Sequence, residues 1–256
     1  MINKILIFLV FCCLILCSCS EQKKIVILTE WDDLENPAKY DLIISIISYR
    51  IIFDDMENIP YSHRMIIKYM DDSLLINNIK VKINSVEQEI NDSIVEMPFV
   101  EFNFTSGIFY ELEVTADNYY AKVRLKIPFE PVVSDFPSVF DPEIDTTLNW
   151  VLEQNSQAQF ANLYSSGNEN NEFVNYEFTS IHPKKRQYIF KARTAPLNRH
   201  NYSLYILNVN FIPYEKVIFL ALDGNQRHYN TIDSNQLNYE LINNEIIENI
   251  LKELKQ

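Results

Sequence analysis

Residues 107–127 read GIFYELEVTADNYYAKVRLKI, and apolar and polar residues alternate on both sides of the pair Asp117-Asn118. An alternation with a period of two is typical of a half-buried β-strand, and Asp and Asn favour tight turns. The stretch therefore predicts an antiparallel hairpin closed by a two-residue turn at residues 117–118. In this register opposite charges meet on one face and apolar residues meet on the other. The predicted cross-strand pairs are Glu111–Arg124, Glu113–Lys122, Leu112–Val123 and Tyr110–Leu125.

Strands of the same kind are predicted on both sides of this hairpin. Before it, the predicted strands cover residues 25–29, 40–53, 65–70, 79–83, 94–97 and 100–104. After it, they cover residues 147–151, 160–164, 174–180, 188–193, 202–211 and 217–222. Four of the ten prolines lie between residues 128 and 142, in a stretch without clean alternation, and indicate a domain boundary. We therefore predict an all-β protein with two antiparallel β-sandwich domains, over residues 25–130 and 146–237, joined by a Pro-rich linker over residues 131–145.

The last segment of the chain changes from strand to helical periodicity. Apolar residues at 242, 246, 247, 250 and 254 form one stripe, and Glu248 precedes Lys252 by four residues. The pattern predicts a C-terminal amphipathic helix over residues 238–256. We expect the stripe to pack against the second domain. A partner-binding or membrane-lying helix is the alternative, which the lack of a basic polar face weakens.

The composition excludes several classes of protein. The formal net charge is −13 and the isoelectric point is near 4.8, so nucleic acid is not expected as a partner. The chain has only three glycines, at positions 107, 167 and 224. A dinucleotide fingerprint, a phosphate loop and a hydrolase nucleophile elbow each need two or three glycines within a few residues. No catalytic residue is therefore predicted.

The amino terminus reads as a secretion signal. Lys4 precedes an apolar run over residues 5–16, which at about a dozen residues is short for a permanent membrane span of roughly 20. The run ends in Leu16-Cys17-Ser18-Cys19, which resembles the lipobox of bacterial lipoprotein precursors. The alternative is an uncleaved signal anchor.

The lipobox resemblance implies a specific processing. Residues 1–18 would be the signal peptide, Cys19 would carry the lipid, and residues 19–24 would form a polar tether. The acyl chains would attach the protein stably to a membrane. Ser20 is not the Asp that implies inner-membrane retention in enterobacterial lipoproteins, so the resemblance favours the outer membrane of the cell envelope. It does not distinguish the periplasmic face of that membrane from the surface face.

Metal and thiol chemistry find little support in the sequence. All four cysteines lie at or before position 19, so the processed chain would keep Cys19 alone. An internal disulfide, a cysteine zinc site and a catalytic thiol are then excluded. The four histidines, His63, His182, His200 and His228, include no pair at the i, i+4 spacing of a metalloprotease. We predict neither a metal nor a cofactor.

The second domain opens with Thr147-Leu148-Asn149-Trp150-Val151, and an aromatic strand ending in Tyr164 follows. This pattern resembles the early strands of a fibronectin type III domain, and the resemblance implies that Trp150 lies between two sheets. Together with the lipobox and the strand over residues 107–114, the chain also resembles two-domain Ig/fibronectin III-like surface lipoproteins of the Bacteroidota type. Those families carry no assigned chemistry that could be transferred.

Two features are candidates for ligand contact. Trp31, followed by Asp32-Asp33 at a strand end, could serve as an aromatic platform for a glycan. Lys184, Lys185 and Arg186 form the basic cluster of the chain, which we expect at a hairpin tip between strands and which could contact an anion or a partner. A core or turn role is the structural alternative for both.

These observations favour a lipid-anchored, non-enzymatic protein of the cell envelope. Its partners would be the membrane, through Cys19, and an envelope protein or glycan presented to its loops. The alternative is an envelope hydrolase whose site assembles only in three dimensions, marked by a paired His and carboxylate with shifted pKa values. A third hypothesis is a carrier of a small ligand, which an apolar cavity between the sheets would mark.

Overall fold

The computed structural model describes residues 40–52, 59–69, 75–92, 98–165, 174–195, 202–229, 247 and 249–250. Over these ranges it is built from β-strands, and it contains no helix long and apolar enough to span a membrane. The strands are β1 (Leu42–Ile52), β2 (Ile59–Tyr69), β3 (Ile79–Ile83), β4 (Val86–Glu87), β5 (Asn91–Asp92), β6 (Pro98–Glu101), β7 (Phe109–Ala116), β8 (Tyr119–Lys126), β9 (Val132–Val133), β10 (Thr146–Val151), β11 (Ala158–Ser165), β12 (Val174–Ile181), β13 (Gln187–Phe190), β14 (Tyr202–Tyr214) and β15 (Val217–Tyr229).

The strands form one large sheet and two smaller ones. The central sheet has eight strands in the order β12-β11-β14-β15-β1-β2-β6-β5. A four-stranded sheet has the order β4-β3-β7-β8, and a three-stranded sheet has the order β13-β10-β9. The sequence pattern predicts a strand at each of the fifteen positions except those of the two-residue strands β4, β5 and β9. The predicted strands over residues 25–29 and 94–97 lie outside the described residues.

The expectation of a purely antiparallel arrangement is wrong at one place. β1 and β15 are parallel neighbours, paired from Leu42 with Val217 to Ile52 with Arg227. Parallel neighbours need a long connection instead of a tight turn, and here most of the chain supplies it. No local pattern announces a pair so distant in sequence.

The hairpin of β7 and β8 has the predicted register. Glu111 is paired with Arg124 and Leu112 with Val123, and Ala116 is paired with Tyr119 across the two-residue turn. Inward and outward residues alternate along both strands, as the period-two pattern requires. The prediction of this hairpin is therefore confirmed.

Three hydrophobic cores lie against the two faces of the central sheet. The first core is between this sheet and the four-stranded sheet, and the second core is between this sheet and the three-stranded sheet. Both contact the same face, because Ile206 of β14 belongs to the second core and Ile212 to the first. The opposite face carries a third, shared core that includes Tyr205 and Leu207 of β14 together with Ile43 of β1.

Strands from both proposed domains share the central sheet. β1 and β2 come from the first predicted domain, and β11, β12, β14 and β15 come from the second. The segment predicted as a linker, residues 131–145, contains β9 and the buried ring of Phe140, which contacts Tyr202 edge-on with ring centres 5.1 Å apart. The domain boundaries stay a prediction.

The seven strands from β9 to β15 divide between the sheets in a regular way. The first, second and fifth of them form the three-stranded sheet, and the other four lie side by side in the central sheet. Trp150 of β10 is buried in the second core between these two sheets, as the sequence pattern implies.

The predicted helix over residues 238–256 lies outside the described residues except at three positions. Ile247, Asn249 and Ile250 have helical backbone. Ile247 and Ile250, both on the predicted apolar stripe, are buried in the shared core. These two contacts lie on the face of the central sheet that the smaller sheets leave open.

Candidate functional site

A row of polar side chains crosses five neighbouring strands of the central sheet. The row runs from His63 on β2 through Ser48, Asp223 and Asn208 to Gln159 on β11, and each residue is the direct cross-strand partner of the next. Four of the five are at least 99% buried, and His63 is partly exposed. We call this set the polar row. It lies at the level where the first core ends and the second begins.

Side chains beside and within the polar row hold the segment that leads from β8 to β9. Asn208 Nδ2 donates to the backbone oxygen of Phe129 (2.7 Å), and Asn210 Nδ2 donates to that of Lys126 (3.0 Å). Asn225 Nδ2 donates to Glu130 Oε1 (3.2 Å). The amides of Asn208 and Asn210 satisfy backbone oxygens that would otherwise be desolvated without a partner, and Asn225 adds a bond to a carboxylate. The segment that leads from β8 in the four-stranded sheet to β9 in the three-stranded sheet is therefore hydrogen bonded to the central sheet.

Ser48 and His63 bring a nucleophile type and a base type together. Ser48 Oγ is 2.5 Å from His63 Nδ1, and burial lowers the pKa of His63. A neutral imidazole against a serine hydroxyl is the first half of a Ser-His-Asp triad. In such a triad the carboxylate contacts the second nitrogen of the imidazole. Here Asp223 lies on the far side of Ser48 from His63, and Ser48 is only 1% exposed.

A second Ser-His contact lies on the opposite face of the sheet. Ser203 and His228 are direct cross-strand partners, joined by a hydrogen bond between Oγ and Nδ1. Gln226 Nε2 is 2.8 Å from His228 Nε2 and also donates to the hydroxyl of Tyr164. Burial lowers the pKa of His228 to about 3, so its imidazole is neutral in the folded protein at ordinary pH.

Among the described residues, no group of three or more His, Cys, Asp or Glu side chains could hold a metal ion. Neither Ser-His contact was expected from the sequence. Their partners lie 15 and 25 positions apart, and strand pairing alone brings them together.

The open face of the four-stranded sheet carries a concentration of basic residues. The outward ionisable positions of β3 and β8 are all basic, whereas the central strand β7 contributes Glu111 and Glu113. Lys122 Nζ is 2.7 Å from Glu111 and 3.6 Å from Glu113, and Lys82 Nζ is 3.4 Å from Glu113. Lys122 lowers the pKa of Glu111, which in turn raises the pKa of Lys122.

Beyond these ion pairs, two cations lie over aromatic rings. The guanidinium of Arg124 is 4.8 Å from the ring centre of Phe109. The ammonium of Lys126 is 5.7 Å from the same ring and 5.0 Å from that of Phe129. Such cation–π contacts favour the placement of these two cations on the open face of the sheet. Phe109 is 44% exposed, so its ring also presents an apolar surface.

The loop between β10 and β11 links this face to the basic cluster recognised in the sequence. Lys126 Nζ donates to Gln154 Oε1, and Arg186 Nη2 donates to Asn155 Oδ1 (2.5 Å). Because Gln154 and Asn155 are consecutive, the two cations lie on neighbouring parts of one surface. Lys185 is exposed beside them.

Arg186 also stabilises its own loop. Its Nη1 donates to the backbone oxygens of Pro183 (2.8 Å) and Lys185 (2.7 Å). The expectation that this cluster forms a hairpin tip is wrong, because β12 belongs to the central sheet and β13 to the three-stranded sheet. The loop instead crosses from one sheet to the other. Lys184 and Lys185 are exposed in this crossing loop.

We call the resulting surface the cationic strip. Its members are Lys80, Lys82, Lys122, Arg124, Lys126, Lys184, Lys185 and Arg186. The sequence pointed to the last three of them, but not to the tertiary contacts that connect them with β8. The other predicted site residues, Cys19 and Trp31, lie outside the described residues.

Comparisons with known proteins add little. No protein-family model and no curated protein matches the sequence. Among solved structures, similarity was found to fibronectin(III)-like modules of Clostridium thermocellum CbhA, at 8% identity, over 73% of this chain and 94% of that one, with a TM-score of 0.22. The I9-I11 tandem of titin is similar at 12% identity, over 73% of this chain and 66% of that one, with a TM-score of 0.18. Superpositions this loose carry no inference about fold or function.

Proposed function

We propose that this protein is a lipid-anchored, non-enzymatic binding module of the cell envelope. The observation that carries the proposal is the division of its polar groups. Ser48 and Asp223, which could serve chemistry, are buried in the polar row, whereas the cationic strip and the ring of Phe109 face outward. Reactive groups in an enzyme must meet a substrate, but an outward charged strip suits recognition.

The location assigned to the protein in this proposal rests on its amino-terminal sequence. Leu16-Cys17-Ser18-Cys19 would direct cleavage after Ser18 and acylation of Cys19, and Ser20 favours the outer membrane. Two or three acyl chains hold a protein to a bilayer far more firmly than one. The partner would be an envelope protein or a glycan.

The body would consist of a fibronectin III-like sandwich next to a second sandwich built on the same central sheet. The division of β9 to β15 supports this assignment, since Ig-like sandwiches place their first, second and fifth strands in one sheet and their third, sixth and seventh in the other. The C-terminal helix over residues 238–256 would cover the shared core, to which Ile247 and Ile250 already belong.

Palmitate labelling tests the anchor. Cells of the native host expressing the full chain or its Cys19→Ala variant are grown with radiolabelled palmitate, with Cys17→Ala as the matched control. We expect Cys19→Ala to lose the label and to keep its uncleaved signal peptide, because the motif that directs both steps is broken, while Cys17→Ala is labelled and cleaved. Undiminished labelling of Cys19→Ala would contradict the lipoprotein assignment.

Crosslinking in intact cells tests the binding role. The lipidated protein is crosslinked in place and isolated, and the captured material is analysed for protein and for sugar. We expect a reproducible envelope component that a crosslinked, unrelated lipoprotein does not capture. Recovery of neither a specific protein nor a specific glycan counts against a binding module.

An envelope hydrolase is the second candidate, and the contact between Ser48 and His63 is the observation that favours it. A serine-reactive fluorophosphonate distinguishes the two functions. We expect no labelling that depends on Ser48, because its hydroxyl is buried. Labelling of the wild type that Ser48→Ala abolishes would favour the hydrolase.

A further inference from the structure

We propose that the cationic strip binds a linear, carboxylate-bearing polysaccharide. This inference rests on the proposed binding function and assigns it a surface and a class of ligand. The strip runs from Lys82 on β3 across β8 to Lys184 on the loop between β12 and β13. It therefore extends from the four-stranded sheet to the loop that connects the central and three-stranded sheets.

The charge of the strip is opposite to that of the whole chain. Eight bases lie on it, in a protein whose formal net charge is −13. The carboxylates on or beside this surface include Glu87 and Glu89 at β4, Glu111 and Glu113 on β7, Glu130 after Phe129 and Glu153 in the connecting loop, six acids against eight bases. They leave a local excess of positive charge. An acidic ligand is attracted to this surface while most of the remaining surface repels it, and that contrast favours one orientation of binding.

The geometry of the strip favours a linear ligand. Lys122, Arg124 and Lys126 project from alternate positions of β8, which places the Cα atoms of neighbouring cationic residues about 6.6–6.8 Å apart along the strand. Gln154 and Asn155 then connect the end of this row to Arg186. A polymer with regularly repeated carboxylates matches such a row, because each group can pair with a cation without bending the chain.

The aromatic residue in the strip points to a sugar. Phe109 lies beneath Arg124 and Lys126, and its ring is 44% exposed. The part of this ring that the two cations leave exposed offers an apolar surface to the C–H groups of a pyranose, while the cations pair with its carboxylate. A lipid headgroup would not use this ring. A membrane would also meet the acidic remainder of the chain, which an anionic bilayer repels.

Binding of polygalacturonate to the full lipidated protein in neutral detergent tests the inference. The polymer is immobilised, and dextran serves as the uncharged control. We expect binding to polygalacturonate that weakens as salt is added, with no binding to dextran. Equal binding to the two polymers would overturn the proposal.

Variants locate the interaction. The strip variant combines Arg124→Gln, Lys126→Gln and Lys185→Gln. The control variant combines Lys191→Gln, Arg193→Gln and Lys216→Gln, which removes the same charge from exposed cations outside the strip that pair with Asp145, Glu143 and Asp41. We expect the strip variant to lose about tenfold or more in affinity at low salt and the control less than about twofold. Equal losses, or none, would refute the assignment.

Two further measurements keep the result unambiguous. Thermal unfolding checks that the strip variant is folded, and the single substitution Lys185→Glu, at an exposed position, replaces it if it is not, with an expected loss of about threefold. Soluble poly-glutamate and glycerol phosphate are tested as competitors. Competition by either one as effective as that by free polygalacturonate would show that an acidic protein or a lipid headgroup is the ligand, which overturns the choice of a polysaccharide.

Failure of this inference is separable from failure of the proposed function. If the strip variant incorporates palmitate and captures the same envelope component as the wild type, the binding module stands and the strip is not its site. If Cys19→Ala keeps the label, the lipid anchor fails whatever the strip binds.

Discussion

Asn208 on β14 and Asp223 on β15 face each other across the middle of the central sheet, and both are completely buried. Each has a partner from outside the sheet. Asn208 donates to the backbone of Phe129, and Ser106 donates to the carboxylate of Asp223. The central sheet therefore holds polar groups at the level where two hydrophobic cores meet, and the chain that crosses there is attached to them.

Replacing Asn208 by Ala tests the contribution of this attachment. The substitution leaves the backbone oxygen of Phe129 without its donor and removes the contact between Asn208 Oδ1 and the side-chain amide of Gln159 (2.7 Å). We expect a loss of about 1–3 kcal/mol in the free energy of unfolding, measured with urea. Gln187→Ala, which removes an exposed amide, is the control and should change it by less than about 0.5 kcal/mol. Equal effects would contradict a structural role for the polar row.

Replacing Gly224 by Ala tests the packing of the shared core. A methyl group there would lie 2.8 Å from the ring of Tyr205, which is buried and cannot move aside freely. We expect a loss of about 1–3 kcal/mol in the free energy of unfolding. The cost should shrink when Tyr205→Leu is introduced as well, so the double variant should lose less than the two single losses together. Additive losses would mean that Tyr205 is not the obstacle.

The stability of the protein should fall in weak acid because of His228. Its pKa is about 3 in the folded state against 6.5 for the free side chain. Between these values the unfolded chain binds more protons than the folded one, so stability is fully present above pH 6.5 and decreases as the pH falls. We expect a contribution to the slope approaching 1.4 kcal/mol per pH unit. Urea unfolding from pH 4 to 7 should show a flatter profile for His228→Gln but not for the exposed His182→Gln.

Asp117 should stabilise the protein in its ionised form. The hydroxyl of Tyr69 donates to its carboxylate (2.7 Å), as does the backbone of Asn78 (3.1 Å), and these bonds lower the pKa of Asp117 below 3.8. The stabilisation is present above that pH and disappears as the pH falls through the lowered value. Asp117→Ala should therefore lose less stability between pH 5 and 2 than the wild type does. Glu87→Ala, at an exposed position, is the control, and its stability should depend on pH as that of the wild type does. If Glu87→Ala and Asp117→Ala showed the same pH profile, the role of Asp117 would be contradicted.

Local alternation was sufficient to find the strands, and it fails where polar residues are buried. The alternating pattern predicts that the last strand ends at Leu222, although β15 continues to Tyr229. The next residues are Asp223 and Gly224, a pair that favours a hairpin turn. In the structure this pair lies in the middle of a strand, because Asp223 belongs to the polar row and Gly224 makes room for the ring of Tyr205. Both reasons are tertiary, so no neighbour in sequence reveals them.

The candidate site shows the same limit. The sequence identified Lys184, Lys185 and Arg186 from their proximity in the chain, and the predicted hairpin register placed Lys122 and Arg124 on its polar face. The contacts of Lys126 and Arg186 with one loop depend on how two sheets are set against each other. Alternation within a strand defines a face, but it does not say which faces become neighbours.

The pairing of β1 with β15 has a consequence for the order in which this chain can fold. Synthesis delivers β1 early, and its parallel neighbour arrives only after Val217 has been added. Until then the isoleucines of β1, including Ile43, Ile44 and Ile46, lack one of the two strands that flank them in the finished sheet. Contacts this distant in sequence form slowly. A nascent chain would therefore stay open to chaperones almost until β15 is made.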